Sequence, residues 1–257
     1  MNKSPVIVCG GSYMTPAHET HHYAGTHFAE IVAQKLNTDL VVLSNGGCSN
    51  FSVALQVEKA IDWYPTPSLI LAGNVPVDRI ELPLTEDISH VSINDQIYHI
   101  PEFKSYHRTK NPKFISTAIR DFFVEDSYHL KNWKNEVNDI EKFIKPIHTW
   151  FETCYNINLK RKLDDFVIYS YYHKLHNSKI PYFICHEIPR DTHNQAPWLI
   201  DKQGNYLPQY LSIEIEHLID EDSRSQFGSP YHTSKKCQQL IADLIISTYE
   251  KNIDNWR

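Results

Sequence analysis

Pro5-Val6-Ile7-Val8-Cys9-Gly10-Gly11-Ser12-Tyr13 runs from a short apolar segment directly into a glycine pair and a serine. An apolar run of this length, bounded by glycines, reads as a buried strand over residues 5–9. The arrangement recurs twice downstream. Asp39 to Leu43 forms a second apolar run ahead of Gly46-Gly47, and Ser68 to Ala72 a third ahead of Gly73-Asn74. All three are expected to be buried strands. Helical patterns lie between them. Over residues 24–36, Phe28, Ile31, Val32 and Leu36 share one face. From Ser49, which can cap through its hydroxyl, a helix is expected to about Trp63, with Phe51, Ala54, Leu55 and Ile61 inward and Glu58, Lys59 and Asp62 outward. A β-α-β-α-β succession predicts a parallel sheet with right-handed crossovers. In such sheets ligands bind beyond the C-terminal strand ends, where the glycine turns fall.

The middle of the chain reads differently. Ile88 to Ile100 alternates around Asn94-Asp95 as a small hairpin, and residues 101–130 are irregular and rich in Tyr, His, Lys and Phe. From about Lys131 to His176 the pattern is helical, with a break near Lys145-Pro146 or Tyr155-Asn156. Pro181 to Ile188 reads as a fourth core strand. His232 to Tyr249 reads as an amphipathic terminal helix with Leu240, Ile241, Leu244 and Ile245 packed on the sheet. The expectation is one α/β domain over residues 1–257, with a mostly helical insertion at about 82–178 that forms a lid or substrate wall.

Bulk composition narrows the classes. A formal net charge of −6 argues against a sequence-independent nucleic-acid binder, and no window approaches the ~20 apolar residues of a membrane span. The apolar stretch near the N-terminus is too short for a signal-peptide core. Five cysteines, widely spaced and without a CxxC pair, fit a reduced, cytoplasmic protein with small buried thiols. Of only 8 glycines, Gly10, Gly11, Gly46 and Gly47 form two pairs at the expected strand exits. Glycine there admits positive φ and close approach of backbone to a ligand.

The chemistry these positions offer is acyl transfer. A serine hydroxyl becomes a nucleophile with a base in reach, and neighbouring backbone amides can hold a developing oxyanion. Ser12 supplies the hydroxyl. Asn45-Gly46-Gly47-Cys48-Ser49-Asn50 presents unobstructed amides, and Asn74 an amide side chain, with Asp78 and Arg79 able to pair and hold the following loop. Ser229-Pro230-Tyr231-His232 places a histidine ahead of the last helix. Taken alone, Gly46-Gly47 reads equally well as an ordinary turn, and the other segments read first as turns, caps or non-functional side chains.

Taken together, the four segments resemble the SGNH hydrolases, the GDSL-type esterases and lipases, over roughly residues 5–81 and 181–250. Gly10-Gly11-Ser12 stands where the family has Gly-Asp-Ser. His27-Phe28 through Lys35-Leu36, Gly46-Gly47-Cys48-Ser49-Asn50 and Asp78-Arg79-Ile80-Glu81 resemble a subgroup found in cyanobacteria and their viruses. The resemblance implies a three-layer α/β/α sandwich of flavodoxin-like type with a mostly parallel central sheet. It implies Ser12 as nucleophile, His232 as base, Gly47 and Asn74 as oxyanion donors, an acylated small-molecule substrate, and no metal or organic cofactor. Two departures stand out. Gly73 and Asn74 are adjacent where the family has Gly-x-Asn-Asp, and Ser229 occupies the place of the aspartate in Asp-x-x-His. Asp220, Glu221 and Asp222 lie upstream as other carboxylates. The same departures fit a degenerate member that serves as a binding or structural module.

Other readings carry less. His18, His21, His22 and His27 crowd together and His22 is i+4 from His18, but no HExxH or Cys pair accompanies them; histidines exposed on a lid or beside a substrate mouth are expected instead. Cys9-Gly10-Gly11-Ser12 lacks the G-x-G-x-x-G of a dinucleotide fold, and Leu43-Ser44 stand where its acidic residue would be. Tyr98, Phe103, Tyr106, Phe114, Phe122, Phe123 and Tyr128 read as lid packing or as a contact surface for protein or carbohydrate.

Overall fold

The structure, a computed structural model, describes residues 4–16, 27–44, 48–64, 66–75, 79–83, 114–118, 149–150, 152–186, 210–211 and 235–256. Strand β1 (Val6–Cys9) is wholly buried and passes through a 3-10 turn at Ser12–Met14. Helix α1 (Phe28–Lys35), strand β2 (Leu40–Val42), helix α2 (Asn50–Trp63) and strand β3 (Leu69–Asn74) follow. A two-stranded antiparallel ribbon, β4 (Arg79–Pro83) with β5 (Phe114–Ala118), leaves the end of β3. Helix α3 (Ile157–Ser178) leads into β6 (Tyr182–His186), then β7 (Tyr210–Leu211) and helix α4 (Lys235–Trp256). The break expected near Tyr155-Asn156 is present, because the Asn156 side chain accepts from the backbone N–H groups of Asn158 and Leu159 and starts α3.

The main sheet runs β2-β1-β3-β6-β7 and all its pairings are parallel. Counted within that sheet, the order is 2-1-3-4-5, the flavodoxin-like arrangement. Alternation along the strands sorts side chains into two cores. Val6, Val8, Leu69, Leu71 and Phe183 face Phe28, Ala29 and Val32 of α1 and Ile241 and Ile245 of α4. Ile7, Cys9, Ile70, Ala72 and Ile184 face Val53, Val57 and Ala60 of α2 and Tyr171 and Leu175 of α3. The result is the three-layer α/β/α sandwich with a parallel central sheet.

Three local expectations change. Strand β2 is an edge strand with one neighbour, so Val42 is exposed rather than buried. On α2 Leu55 is buried and Ala54 and Ile61 pack against the core as expected, but the buried face is wider. Phe51 lies outside, whereas Ser52, Val53, Gln56, Val57 and Lys59 are buried, because α2 is covered by α3 as well as by the sheet. The buried Lys59 threads its stem along the helix and sets its ammonium 3.8 Å from the centre of the Trp63 ring, and burial lowers its pKa. On α4, Ile241 and Ile245 pack inward as expected, with Ala242 and Cys237, but Leu240 and Leu244 are exposed. The hairpin expected over Ile88–Ile100 lies outside the described residues.

Candidate active site

The exit of β1 is gripped from three sides. Gly10, at φ +145°, donates its N–H to Gln56 Oε1 of α2 at 2.6 Å, and its carbonyl accepts from Cys48 Sγ at 3.2 Å. The Gly11 carbonyl accepts from Met14 N (3.1 Å) and from Thr15 Oγ1 (2.9 Å). Ser44, just past β2, donates its hydroxyl to the Met14 carbonyl at 2.8 Å. Such a turn holds its backbone by side chains from neighbouring elements rather than by loop stiffness. Ser12 opens this turn, at the C-terminal edge of the sheet.

His27 supplies the remaining grip. It is 1% exposed, caps α1 by accepting from Ala29 N at Nδ1 (3.2 Å), and its Nε2 lies 2.9 Å from the Tyr13 carbonyl. Because Nδ1 accepts and a carbonyl faces Nε2, the ring is neutral with its proton on Nε2. Burial drives its pKa down to about 4, although the bond to Tyr13 opposes the shift. The folded state therefore binds fewer protons than the unfolded chain between pH 6.5 and about 4. Stability present above pH 6.5 is lost as the pH falls through that window, by about 3 kcal/mol in all. His27→Asn, which keeps an N-cap acceptor, is expected to remove about one proton from the pH dependence of unfolding over this range. Urea unfolding of both forms at intervals from pH 4 to 7 checks it; parallel slopes would show that His27 does not titrate this way.

The neighbouring strand exit is held as firmly. Val75 donates its N–H to Asn50 Oδ1 (3.0 Å), and Asn50 Nδ2 donates to the Val75 carbonyl (2.9 Å) and to Asp164 Oδ2 of α3 (3.2 Å). Asp164 is buried and also pairs with Lys160 one turn earlier. Asn74, the last residue of β3 and also buried, accepts at Oδ1 from the hydroxyl of Tyr171. In the β1–β3 register Cys9 faces Ala72, so the chains leading to Ser12 and to Asn74 leave the same edge on adjacent strands. This is where strand order reverses in a 2-1-3-4-5 sheet, the crevice in which such folds bind ligands.

Of the candidate residues, then, Ser12 and Asn74 stand at one edge. Gly47, His232, Ser229, Asp78, Asp220, Glu221 and Asp222 lie outside the described residues, as do His18, His21 and His22. His27 is a buried capping residue and not an exposed lid histidine. Among the described residues no three His, Cys, Asp or Glu side chains gather into a metal-binding group, and no helix is long and apolar enough to cross a membrane. No described cysteine is in a disulfide; Cys9, Cys48, Cys185 and Cys237 are buried and Cys154 is exposed, and burial pushes the Cys9 thiol pKa far up. Sequence reading assigned no role to Asn50, Gln56, Asp164 or Tyr171. The available signal was polar residues recurring at Ser52, Gln56 and Lys59 on one side of α2. It also passed over His186, which ends β6 in register with Asn74.

No protein-family model matches the chain, and no curated protein is significantly similar to it. Solved structures do align. A carbohydrate esterase, described as having an active site with divergent catalytic and non-catalytic binding functions, aligns over 100% of this chain and 71% of its own. The TM-score is 0.45 and the identity 12%. A protein assigned to the G-D-S-L family of lipolytic proteins, from Desulfitobacterium hafniense DCB-2, aligns over 96% of this chain and 99% of its own, with TM-score 0.33 and 11% identity. The likeness is remote and is one of fold alone.

Proposed function

We propose that this chain is a serine acyl hydrolase of the SGNH type, acting on an ester-linked acyl group of a small molecule. The observation that carries the reading is the Gly-Gly-Ser turn at the β1 exit beside Asn74 at the β3 exit, across the point where strand order reverses. In this mechanism Ser12 attacks the acyl carbonyl while His232 takes its proton. His232 then returns that proton to the departing alcohol, and water repeats the cycle on the acyl-enzyme. The amides of Ser12 and Gly47 and the side chain of Asn74 stabilise the tetrahedral oxyanion. Neither a metal nor an organic cofactor enters these steps. A lid or substrate wall formed by the insertion at about 82–178 belongs to this proposal, and α3, within that span, reaches Asn74 and Asn50. A cytoplasmic setting accords with described cysteines that form no disulfide.

A second reading has one observation behind it. Ser229 replaces the carboxylate that would orient His232, which suits a member that kept the architecture for binding. A fluorophosphonate probe separates the two. Labelling of wild type that disappears in Ser12→Ala is the expected result. A folded wild type that takes no label, or label retained in Ser12→Ala, would overturn the hydrolase reading.

A further inference from the structure

We infer that Tyr171 is a positioning residue for the oxyanion-binding amide of Asn74, an assignment that rests on the hydrolase reading above. Tyr171 sits on α3, is 1% exposed, and donates its phenolic hydroxyl to Asn74 Oδ1. Its ring packs in the core between α2, α3 and the sheet, among Ile184, Leu175 and Val57. A hydroxyl buried there is costly without a partner, and Asn74 is the partner. The bond has a directional consequence. A carboxamide is planar, so an oxygen directed at Tyr171 turns the Nδ2 hydrogens away from α3. An Asn whose amide rotates freely offers an incoming oxyanion either a donor or a repelling oxygen. With Oδ1 engaged, the donor end is selected before substrate arrives, which is where electrostatic preorganisation gains its effect.

The backbone beneath this amide is fixed from the same layer. Asn50 clasps both the N–H and the carbonyl of Val75 and is itself held by Asp164, which Lys160 balances in charge. Side chain and main chain at the β3 exit are thus set by α2 and α3 together. Here Gly73 and Asn74 are adjacent, whereas the SGNH pattern that the chain resembles has one residue between them. Holding the amide from outside the loop supplies an orientation that the altered loop does not dictate.

The test is a cycle of Tyr171→Phe, Asn74→Ala and the double variant, assayed on p-nitrophenyl acetate with thermal melts to confirm folding. Tyr171→Phe is expected to lower kcat by about 10-fold with KM little changed, and Asn74→Ala by about 10²-fold or more. In the Asn74→Ala background Tyr171→Phe should cost no further turnover and little further melting temperature, because the hydroxyl it removes has already lost the Asn74 carboxamide. A purely structural role would move the melt alone. Ser12-dependent turnover that is unchanged in Tyr171→Phe, or lowered equally in both backgrounds, overturns the positioning role and leaves the hydrolase reading standing. Absence of any Ser12-dependent turnover in folded wild type overturns that reading and this one with it. If Tyr171→Phe does not fold, the wild-type Asn74 side-chain amide is followed by NMR across phosphonylation of Ser12. Its protons should move downfield on meeting the phosphonyl oxygen, and an unmoved signal rejects the assignment.

Discussion

His232→Ala lowers kcat on an activated ester by about 10²–10⁴-fold while leaving the fold intact, if His232 moves the proton in both halves of the reaction. The size of the loss depends on how good a base the wild-type ring is. In serine proteases, removal of the aspartate that orients the histidine costs about 10⁴-fold. Ser229 is the residue three before His232, so under the proposed reading a low wild-type rate is expected and the interval left to lose is correspondingly smaller. Ser229→Asp is expected to raise kcat in the presence of His232 and to have no effect in the His232→Ala background. His186 provides the internal control, since its backbone ends β6 at the same sheet edge, in register with Asn74. A His232→Ala enzyme with wild-type turnover removes His232 from the mechanism. If His186→Ala is inactive in the same assay, the base role passes to the β6 exit. Measurement of kcat against pH for all variants decides between them, because loss of the base also removes its ionisation from the profile.

What the sequence made legible, and what it hid, divides along physical lines. The strands β1, β3 and β6 were readable because each is a short apolar run, buried on both faces in a parallel sheet and ended by glycine, Asn or His. The order of strands was not readable, since the local pattern of β2 does not announce that it lies at an edge. Helix α2 shows the same limit more sharply. Phe51 looks inward by hydrophobicity, and Lys59 outward by charge. A helix covered by both sheet and α3 buries more than one stripe, and a lysine stem can lie in that layer with its ammonium on Trp63. His27 was visible as one of a cluster of histidines, but its duty depends on where the Tyr13 carbonyl falls. Tyr171 and Asp164 gave no local sign, because their partners Asn74 and Asn50 are remote in the chain and meet them only once α3 packs on α2. That Ser12 and Asn74 share one sheet edge was legible for the opposite reason. Asn74 ends β3 and Ser12 lies in the turn just past β1, and strand exits in a parallel sheet share one edge whatever the strand order.

The largest effect on stability is expected at Gly10. Its φ of +145° is a backbone conformation that residues with a Cβ avoid, and the turn that carries Ser12 depends on it. A Cβ built there would overlap Met14 Cγ, lie 2.8 Å from Met14 Cβ and 3.2 Å from the Gly73 carbonyl oxygen. Met14 has no room to withdraw, being 1% exposed and packed in the core beside α1 and α4. Gly10→Ala thus combines backbone strain of about 1–3 kcal/mol with overpacking of similar size, and about 3–5 kcal/mol of destabilisation is the expected sum. Urea unfolding measures it, and a loss under about 1 kcal/mol would show that the turn can relax. The two contributions can be separated with Met14→Ala. That substitution opens a cavity in the wild-type background but removes the Cγ overlap in Gly10→Ala, leaving only the close approach to Cβ, so the double variant should be more stable than the sum of the singles predicts. The strain at φ +145° stays in the double variant, because removing the Met14 side chain does nothing for the backbone. Gly10 also sits between the Gln56 and Cys48 contacts that hold the β1 exit, so relaxation of the turn would displace Ser12. Fluorophosphonate labelling of the folded Gly10→Ala fraction should accordingly slow by more than its loss of folded population explains. Labelling that tracks the folded fraction alone would mean that the turn keeps its shape and that the cost of the methyl group is carried by Met14.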